Sequence, residues 1–310
     1  MALETYSLLR EIQNHEAISG AALGERFGVS RAAISKRLKE LDELVETFPS
    51  KGYALRSGYQ LLRQEAVIAL QHHHPDWLVD TRLEVDSTNS ILVAEARAGD
   101  ARPKILLAER QTAGRGRRGR AWQQPIGTGL SFSLRWQFEA GFNVLSGLSL
   151  AVGVWVAEVL QQFGFDTQLK WPNDLYFNQA KLGGVLVEVD GDVDGPVTVV
   201  VGIGINLLKV PNVDQRVTHL NCYEKDELFV ALSNRLIRGL MNYEESGFRP
   251  LKDAWVSRAL WMNESVTVSS VSNQQQGTLK GVDSDGSLIV AVGDELVHFS
   301  GGELSLRGVS

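Results

Sequence analysis

The chain has 310 residues, 44% hydrophobic and 22% charged, and its 31 Lys and Arg against 37 Asp and Glu leave a net charge of −6. That is enough apolar material for a sizeable core and two or three domains, while the acidic balance excludes a protein given over wholly to nucleic acid and confines any DNA contact to a local basic patch. The one cysteine, Cys222, excludes an internal disulfide framework. No apolar run reaches the roughly 18 residues of a membrane span, and Glu4 and Glu11 interrupt a first segment that lacks the apolar core of a signal peptide. A soluble cytoplasmic protein with no membrane partner is expected.

Residues 1–60 read as a small helical unit. Leu3, Leu8, Leu9 and Ile12 recur at helical spacing. Ser19 is placed to cap a second helix over 20–27, Gly28-Val29-Ser30 makes a turn, and Ser30 caps a third helix with an apolar stripe of Ile34, Leu38 and Leu41. Closely crossing helices need a small residue, which Gly24 supplies, and the turn needs one tolerant of positive φ, which Gly28 supplies. On the third helix Arg31, Ser35 and Lys39 stand at i, i+4 and i+8 with Lys36 beside them, the polar and basic face that a major-groove helix requires. A merely solvated helix carries such a face too. The run Lys51-Gly52-Tyr53-Ala54-Leu55 reads as a hairpin wing and tips the balance to DNA binding, with Ser30, Arg31, Ser35, Lys36 and Lys39 as candidate contacts.

Residues 61–80 form a joint carrying a helix over 61–72. His72-His73-His74 resembles a metal tract, but adjacent helical residues point apart and no cysteine or spaced acid accompanies them, so a polar joint is expected. Residues 81–262 mix strand patterns (105–108, 130–136, 185–189, 197–205) with helical ones (148–163, 226–243), and 190–194 reads as an acidic hairpin turn. Residues 263–310 differ: short β-type runs at 266–268, 277–282, 287–290 and 295–299 are parted by Gly, Asp and Ser, which suggests a small β-barrel. The class is α+β.

The most informative stretch is Gln111-Thr112-Ala113-Gly114-Arg115-Gly116-Arg117-Arg118-Gly119-Arg120-Ala121-Trp122. Gly114, Gly116 and Gly119 satisfy G-x-G-x-x-G, yet a dinucleotide loop must open a helix, and Pro125, Gly127 and Gly129 forbid one there. The glycines let backbone approach a ligand, four arginines in six residues offer forks for phosphate, and Trp122 can close over the ligand. Asp86-Ser87-Thr88-Asn89-Ser90, between a strand and a helix, serves either as helix caps or as donors to a ureido or amide group. Lys170-Trp171-Pro172-Asn173-Asp174 and Lys181-Leu182-Gly183-Gly184 read as a strand end, a turn and a second glycine loop whose lysine can reach a carboxylate or α-phosphate. Gly202-Ile203-Gly204-Ile205-Asn206 ends an apolar strand where another group must lie against the backbone.

These segments, in this order and over essentially the whole chain, together with Gly301-Gly302-Glu303-Leu304-Ser305-Leu306-Arg307, closely resemble biotin–protein ligases of the bifunctional kind that also act as the biotin operon repressor. Gly183 stands where that family often has alanine. The resemblance implies an N-terminal winged helix-turn-helix (1–60), a joint (61–80), a central mixed-sheet domain similar to class II aminoacyl-tRNA synthetases (81–262) and a C-terminal SH3-like β-barrel (263–310). It implies that biotin and ATP, with Mg2+, give biotinyl-5′-AMP, and that biotin passes to a lysine of biotin carboxyl carrier protein. It implies a homodimer on adenylate binding, which then binds operator DNA. Ser87, Thr88, Asn89, Gln111, Gly114, Arg115, Gly116, Arg117, Lys181 and Gly204 would hold biotin. Lys181, Arg117 and Arg115 would be catalytic, and Arg118, Arg120, Trp122 and Asn206 would belong to the adenylate-binding loop. No magnesium ligand is identified.

Overall fold

The computed structural model describes residues 4–191, 195–208, 216–222, 224–270, 273–300 and 304–308; Leu3, residues 192–194 of the acidic turn, and Gly301, Gly302 and Glu303 lie outside the described residues. The chain opens with α1 (Thr5–Gln13), α2 (Gly20–Phe27), α3 (Arg31–Lys39) and the hairpin β1 (Val45–Phe48) and β2 (Gly52–Leu55). Ser19 and Ser30 cap α2 and α3 by accepting from the amides of Ala22 and Ala33, and Gly28 ends α2 at φ 66°. Gly24 is needed at the crossing, since a Cβ there would stand 2.7 Å from the Val29 carbonyl oxygen. Ile34 and Leu38 share a core with Leu8, Leu9, Ile12 and Leu23, each such side chain stabilising the unit by about 1.5–3 kcal/mol. That burial turns Ser30, Arg31, Lys36 and Lys39 outward, with Ser35 half-buried. Ile18 and Tyr53 exchange backbone hydrogen bonds of 2.9 and 2.8 Å, which lock the hairpin to the helices as a wing.

The joint helix starts later than its apolar pattern predicts. α4 spans Gln64–His73, because polar side chains capture the backbone ahead of it. Gln13 accepts the Leu61 amide at 2.6 Å and donates to the Leu61 carbonyl at 2.8 Å, and Glu109 accepts the Leu62 amide at 2.8 Å. His74 pairs with Asn234 at 2.7 Å.

The centre comprises β3 (Leu78–Val85), α5 (Thr88–Arg97), β4 (Lys104–Gln111), β5 (Gly129–Phe138), α6 (Leu148–Gln162), β6 (Gln168–Lys170), β7 (Asp174–Phe177), β8 (Ala180–Gly191), β9 (Val197–Asn206), α7 (Lys225–Ser246) and α8 (Lys252–Val256). The seven strands run in the order β3-β4-β5-β9-β8-β7-β6; β3 and β4 are parallel and the other pairs antiparallel. Strand alternation sends successive side chains to opposite faces. Ile105, Leu107, Phe132, Leu134, Val199 and Val201 therefore join the large core with α6 and α7, while Leu106 and Val200 pack with Leu92 and Val93 of α5. On the α5 side β5 presents Ser131, Ser133 and Arg135, all buried. A polar sheet face covered by a helix and a loop is where the site forms.

The C-terminal unit is an antiparallel sheet of β10 (Ser265–Ser269), β11 (Gln274–Val282), β12 (Leu288–Val292), β13 (Glu295–Phe299) and β14 (Ser305–Gly308), in the order β13-β12-β11-β10-β14. Among the described residues it is open, with β13 and β14 as its edges, not a closed barrel. Its apolar face (Val266, Val268, Leu279, Leu288, Val290) is continuous with the central core. No described helix is long and apolar enough to cross a membrane.

Candidate active site

A cleft of about 980 Å³, its open mouth included, lies between the N-terminus of α5, the 111–122 loop, the β6–β7 turn, the starts of β8 and β14, and the end of β9. Ser87, Thr88, Asn89, Gln111, Arg115, Gly116 and Arg117 reach its wall, as do Arg118, Arg120, Trp122, Lys181 and Gly204. Gly114 lies behind the loop, where a Cβ would stand 2.6 Å from the Trp122 carbonyl oxygen. Asn206 is buried two residues beyond the wall and donates to the Thr218 carbonyl at 3.1 Å. Ser30, Arg31, Ser35, Lys36 and Lys39 belong to the separate N-terminal unit.

At the α5 end the cap and ligand readings of the polar residues meet. Ser87 caps α5 by accepting the Ser90 amide at 3.3 Å. Gln111 Oε1 accepts both the amide and the hydroxyl of Thr88, at 2.8 and 3.1 Å, so Gln111 has only its NH₂ left to offer a ligand. Asn89 is committed internally: its Oδ1 accepts Ser133 at 2.6 Å and its Nδ2 donates to Glu188 at 2.9 Å and to the Leu186 carbonyl at 3.3 Å. It shapes the wall by holding neighbours in place. Gly202 is required beside it, because a Cβ would stand 2.2 Å from Asn89 Oδ1.

The glycine–arginine loop folds on itself. The Gly114 carbonyl accepts the Trp122 amide at 2.8 Å, the Arg120 carbonyl accepts the Gly116 amide at 2.7 Å, and Arg117–Gly119 form one 3-10 turn, so no α-helix opens after the glycines. Trp122 donates from Nε1 to Ser131 at 2.9 Å and lays its ring on Gly204, where a Cβ would lie 2.5 Å from ring carbon. Gly204→Ala is therefore expected to push Trp122 off the wall. An ångström-scale displacement of a closing group costs about 10²-fold in turnover, so kcat/KM for chemistry in the cleft should fall by that order while the melting temperature moves little. Unaltered kinetics would show that the Trp122 position is immaterial.

Facing the loop, cations gather around one carboxylate. Asp174 pairs with Lys181 at 2.7 Å and with Lys170 at 3.6 Å, and Arg117 Nη1 lies 3.5 Å from Asn173 Oδ1. Burial pulls the Arg117 guanidinium below its usual range; burial does the same to Lys170, with Asp174 opposing it. Burial, then the Asp174 charge, pushes the Tyr176 phenol up to about 12. Three cations against one acid, with Arg118 and Arg120 exposed at the rim, call for an anionic ligand. Lys181 stands at the start of β8, a strand and not a glycine loop, because Gly183 packs flush on β9: a Cβ there would be 2.2 Å from the Gly204 carbonyl oxygen.

Sequence reasoning gave no role to Ser131, Ser133, Asp174 or Glu188. The alternation Leu130-Ser131-Phe132-Ser133-Leu134 marks the two serines as one strand face and could have flagged them; Asp174 and Glu188 depend on contacts that spacing does not reveal. Cys222, remote from the motifs in sequence, lies beside the end of β9, its amide donating to the Leu207 carbonyl at 3.2 Å, and burial raises its thiol pKa.

Known proteins match this organisation segment by segment. Residues 84–206 match the biotin/lipoate A/B protein ligase family, residues 5–60 an HTH domain, and residues 262–307 the biotin protein ligase C-terminal domain. The bifunctional ligase/repressor BirA of Escherichia coli is 34% identical, over 97% of this chain and 96% of its own. A variant of the biotin protein ligase from Aquifex aeolicus, in complex with biotin, superposes with a TM-score of 0.64 at 30% identity, covering 75% of this chain and 99% of that one. The Aquifex aeolicus enzyme in complex with biotin and ATP gives 0.61 at 29%, covering 75% and 98%. With a helix-turn-helix unit ahead of a cationic, lidded cleft, and with relatives matched along nearly its full length, the chain belongs to the biotin–protein ligases of the bifunctional ligase/repressor kind.

Proposed function

We propose that the chain condenses biotin with ATP to biotinyl-5′-AMP, passes biotin to a lysine of biotin carboxyl carrier protein, and represses biotin synthesis genes as an adenylate-loaded homodimer on operator DNA. The observation that carries this reading is the convergence of Gln111, Arg117 and Lys181 on one cleft beneath the Trp122 lid. The units are 1–60, 61–80, 81–262 and 263–310. The central sheet is of the class II synthetase kind, and the open five-stranded C-terminal sheet is of the SH3-like kind.

Carboxylates are poor acyl donors, so biotin must first acquire a leaving group. A biotin carboxylate oxygen bonds to the α-phosphorus while the bond to pyrophosphate breaks. Arg117 and Lys181 offset charge building on the phosphoryl oxygens. The carrier amine then attacks the acyl carbon and AMP departs. Ser87, Thr88 and the Gln111 NH₂ hold the ring system; Arg115, Gly116, Gly204 and the lid residues Arg118, Arg120 and Trp122 enclose the adenylate. Mg2+ supplies charge neutralisation for the triphosphate. Among the described residues no three acidic, His or Cys groups converge, and Asp174 is engaged by Lys181, so the ion would be carried mainly by the triphosphate and not by a protein cage.

Mass spectrometry of the protein with Mg-ATP, a carrier domain and biotin and lipoate in equal amounts tests the reading: a biotinyl mass on the carrier lysine is expected, and a lipoyl mass in its place, or no adduct, would overturn it. For the second activity, Lys36→Ala and Lys39→Ala should each weaken binding to a biotin-gene promoter duplex and reduce the salt slope by about one for every phosphate that is no longer neutralised. Fluorescence anisotropy across a salt series measures this; unchanged slopes would place both lysines off the phosphates.

A further inference from the structure

The lid is tied down by a carboxylate outside the residues that face the ligand. Glu188, on β8, accepts Arg115 Nη2 on both oxygens, at 2.8 and 2.9 Å, and Asn89 Nδ2 at 2.9 Å. Asn89 is 4% exposed and its Oδ1 is held by Ser133, so its amide has one orientation and the NH₂ must point at Glu188. The carboxylate is thus fixed from below by a buried amide and reaches up to the arginine.

Arg115 stands where the lid begins. It bridges Ala121 across the lid's own hairpin, so fixing Arg115 fixes the pivot of everything from Gly116 to Arg120. An arginine bonded to a carboxylate is neutralised by it, which makes Arg115 unlike Arg117, whose guanidinium is half-sunk beside Asn173. The two arginines therefore have different work, although they lie two residues apart in one motif.

Resting on the ligase reading, we propose that Glu188 is a positioning residue: through Arg115 it anchors the first limb of the lid over the biotin end of the cleft, and the phosphate charge falls to Arg117 and Lys181. With side chains 44% and 25% exposed, the pair is only partly shielded from water, so its effect comes from ordering the loop and should be moderate.

Glu188→Ala should raise the biotin KM about five- to tenfold, the size of one ordinary net hydrogen bond, and leave the ATP KM and kcat of pyrophosphate exchange near wild type. Arg115→Ala should raise the biotin KM at least as much, and adding Glu188→Ala to it should bring no further loss, because both remove one link. A wild-type biotin KM in Glu188→Ala, or a loss in kcat and ATP KM at constant biotin KM, would overturn the proposal. Trypsin cleavage after the lid arginines, with no ligand added, reads the anchor without any enzymatic assumption: Glu188→Ala should be cut several-fold faster, and an unchanged rate sinks the anchor even if the ligase reading stands. Absence of biotin adenylation by the wild-type chain would instead sink the ligase reading while the trypsin comparison still decides the anchor.

Discussion

Lys181→Ala is expected to lower biotin-dependent pyrophosphate exchange about 10²–10³-fold, the loss found when one preorganised charge donor is taken from a developing anion. The Lys181 side chain is 16% exposed and its ammonium is held 2.7 Å from Asp174, so it is aimed before substrate arrives and reorganises little during the reaction. Removing it also exposes the anionic substrate to Asp174, whose remaining ion pair among the described residues is the longer 3.6 Å contact with Lys170. Two effects then add: a lost attraction and a new repulsion. The double variant Lys181→Ala, Asp174→Asn should consequently recover part of the rate, a result that simple loss of a structural ion pair does not give. Lys181 and Asp174 are only 16% and 14% exposed, so losing the lysine should also cost about 1–3 kcal/mol of stability, and exchange is compared well below the unfolding transition. Exchange within about threefold of wild type would remove Lys181 from the chemistry.

What the sequence makes legible here is what local physics decides. Ser19, Ser30, Gly24 and Gly28 announce two caps, a crossing and a turn within a dozen residues, and each does that job in the fold. Pro125, Gly127 and Gly129 likewise rule out a helix after the arginine loop, and β5 follows. The failures have a different origin. The joint helix starts three residues late because Gln13 and Glu109, 48 and 47 residues away from the amides they accept, compete for the backbone. Lys181-Leu182-Gly183-Gly184 looks like a loop because its glycines are read as turn formers, whereas Gly183 is small so that β8 can lie on β9. At Asn89, which lines the cleft, the sequence shows a polar group but not that Ser133 and Glu188, 44 and 99 residues on, already bond its amide. Side-chain identity marks the site's neighbourhood; which polar groups remain for a ligand is settled only by partners distant in the chain.

A larger stability effect is expected from a pair that no motif contains. Lys225 Nζ donates to Glu109 Oε2 at 2.5 Å and to the Gln60 carbonyl at 3.1 Å, while Glu109 Oε1 accepts the Tyr6 hydroxyl and the Leu62 amide, both at 2.8 Å. Both charged side chains are essentially unexposed, and burial, then the Glu109 charge, pushes the Tyr6 phenol far above its ordinary range. One carboxylate therefore holds α1 of the reading unit, the joint, β4 and α7 together. Lys225→Met leaves that carboxylate buried without its counter-charge, which costs about 3–5 kcal/mol, against a total of roughly 5–15 kcal/mol for a folded domain. Urea unfolding should shift accordingly, and α1 should lose hydrogen-exchange protection first, since Tyr6, beside the Arg10 bond to Thr81 of β3 at 3.1 Å, ties it to the sheet. Adding Glu109→Gln to Lys225→Met removes the orphaned charge yet keeps an oxygen for Tyr6 and Leu62, so the double variant should be more stable than Lys225→Met alone. A double variant less stable than the single one would mean that lost packing around Lys225, and not an unpaired charge, sets the cost.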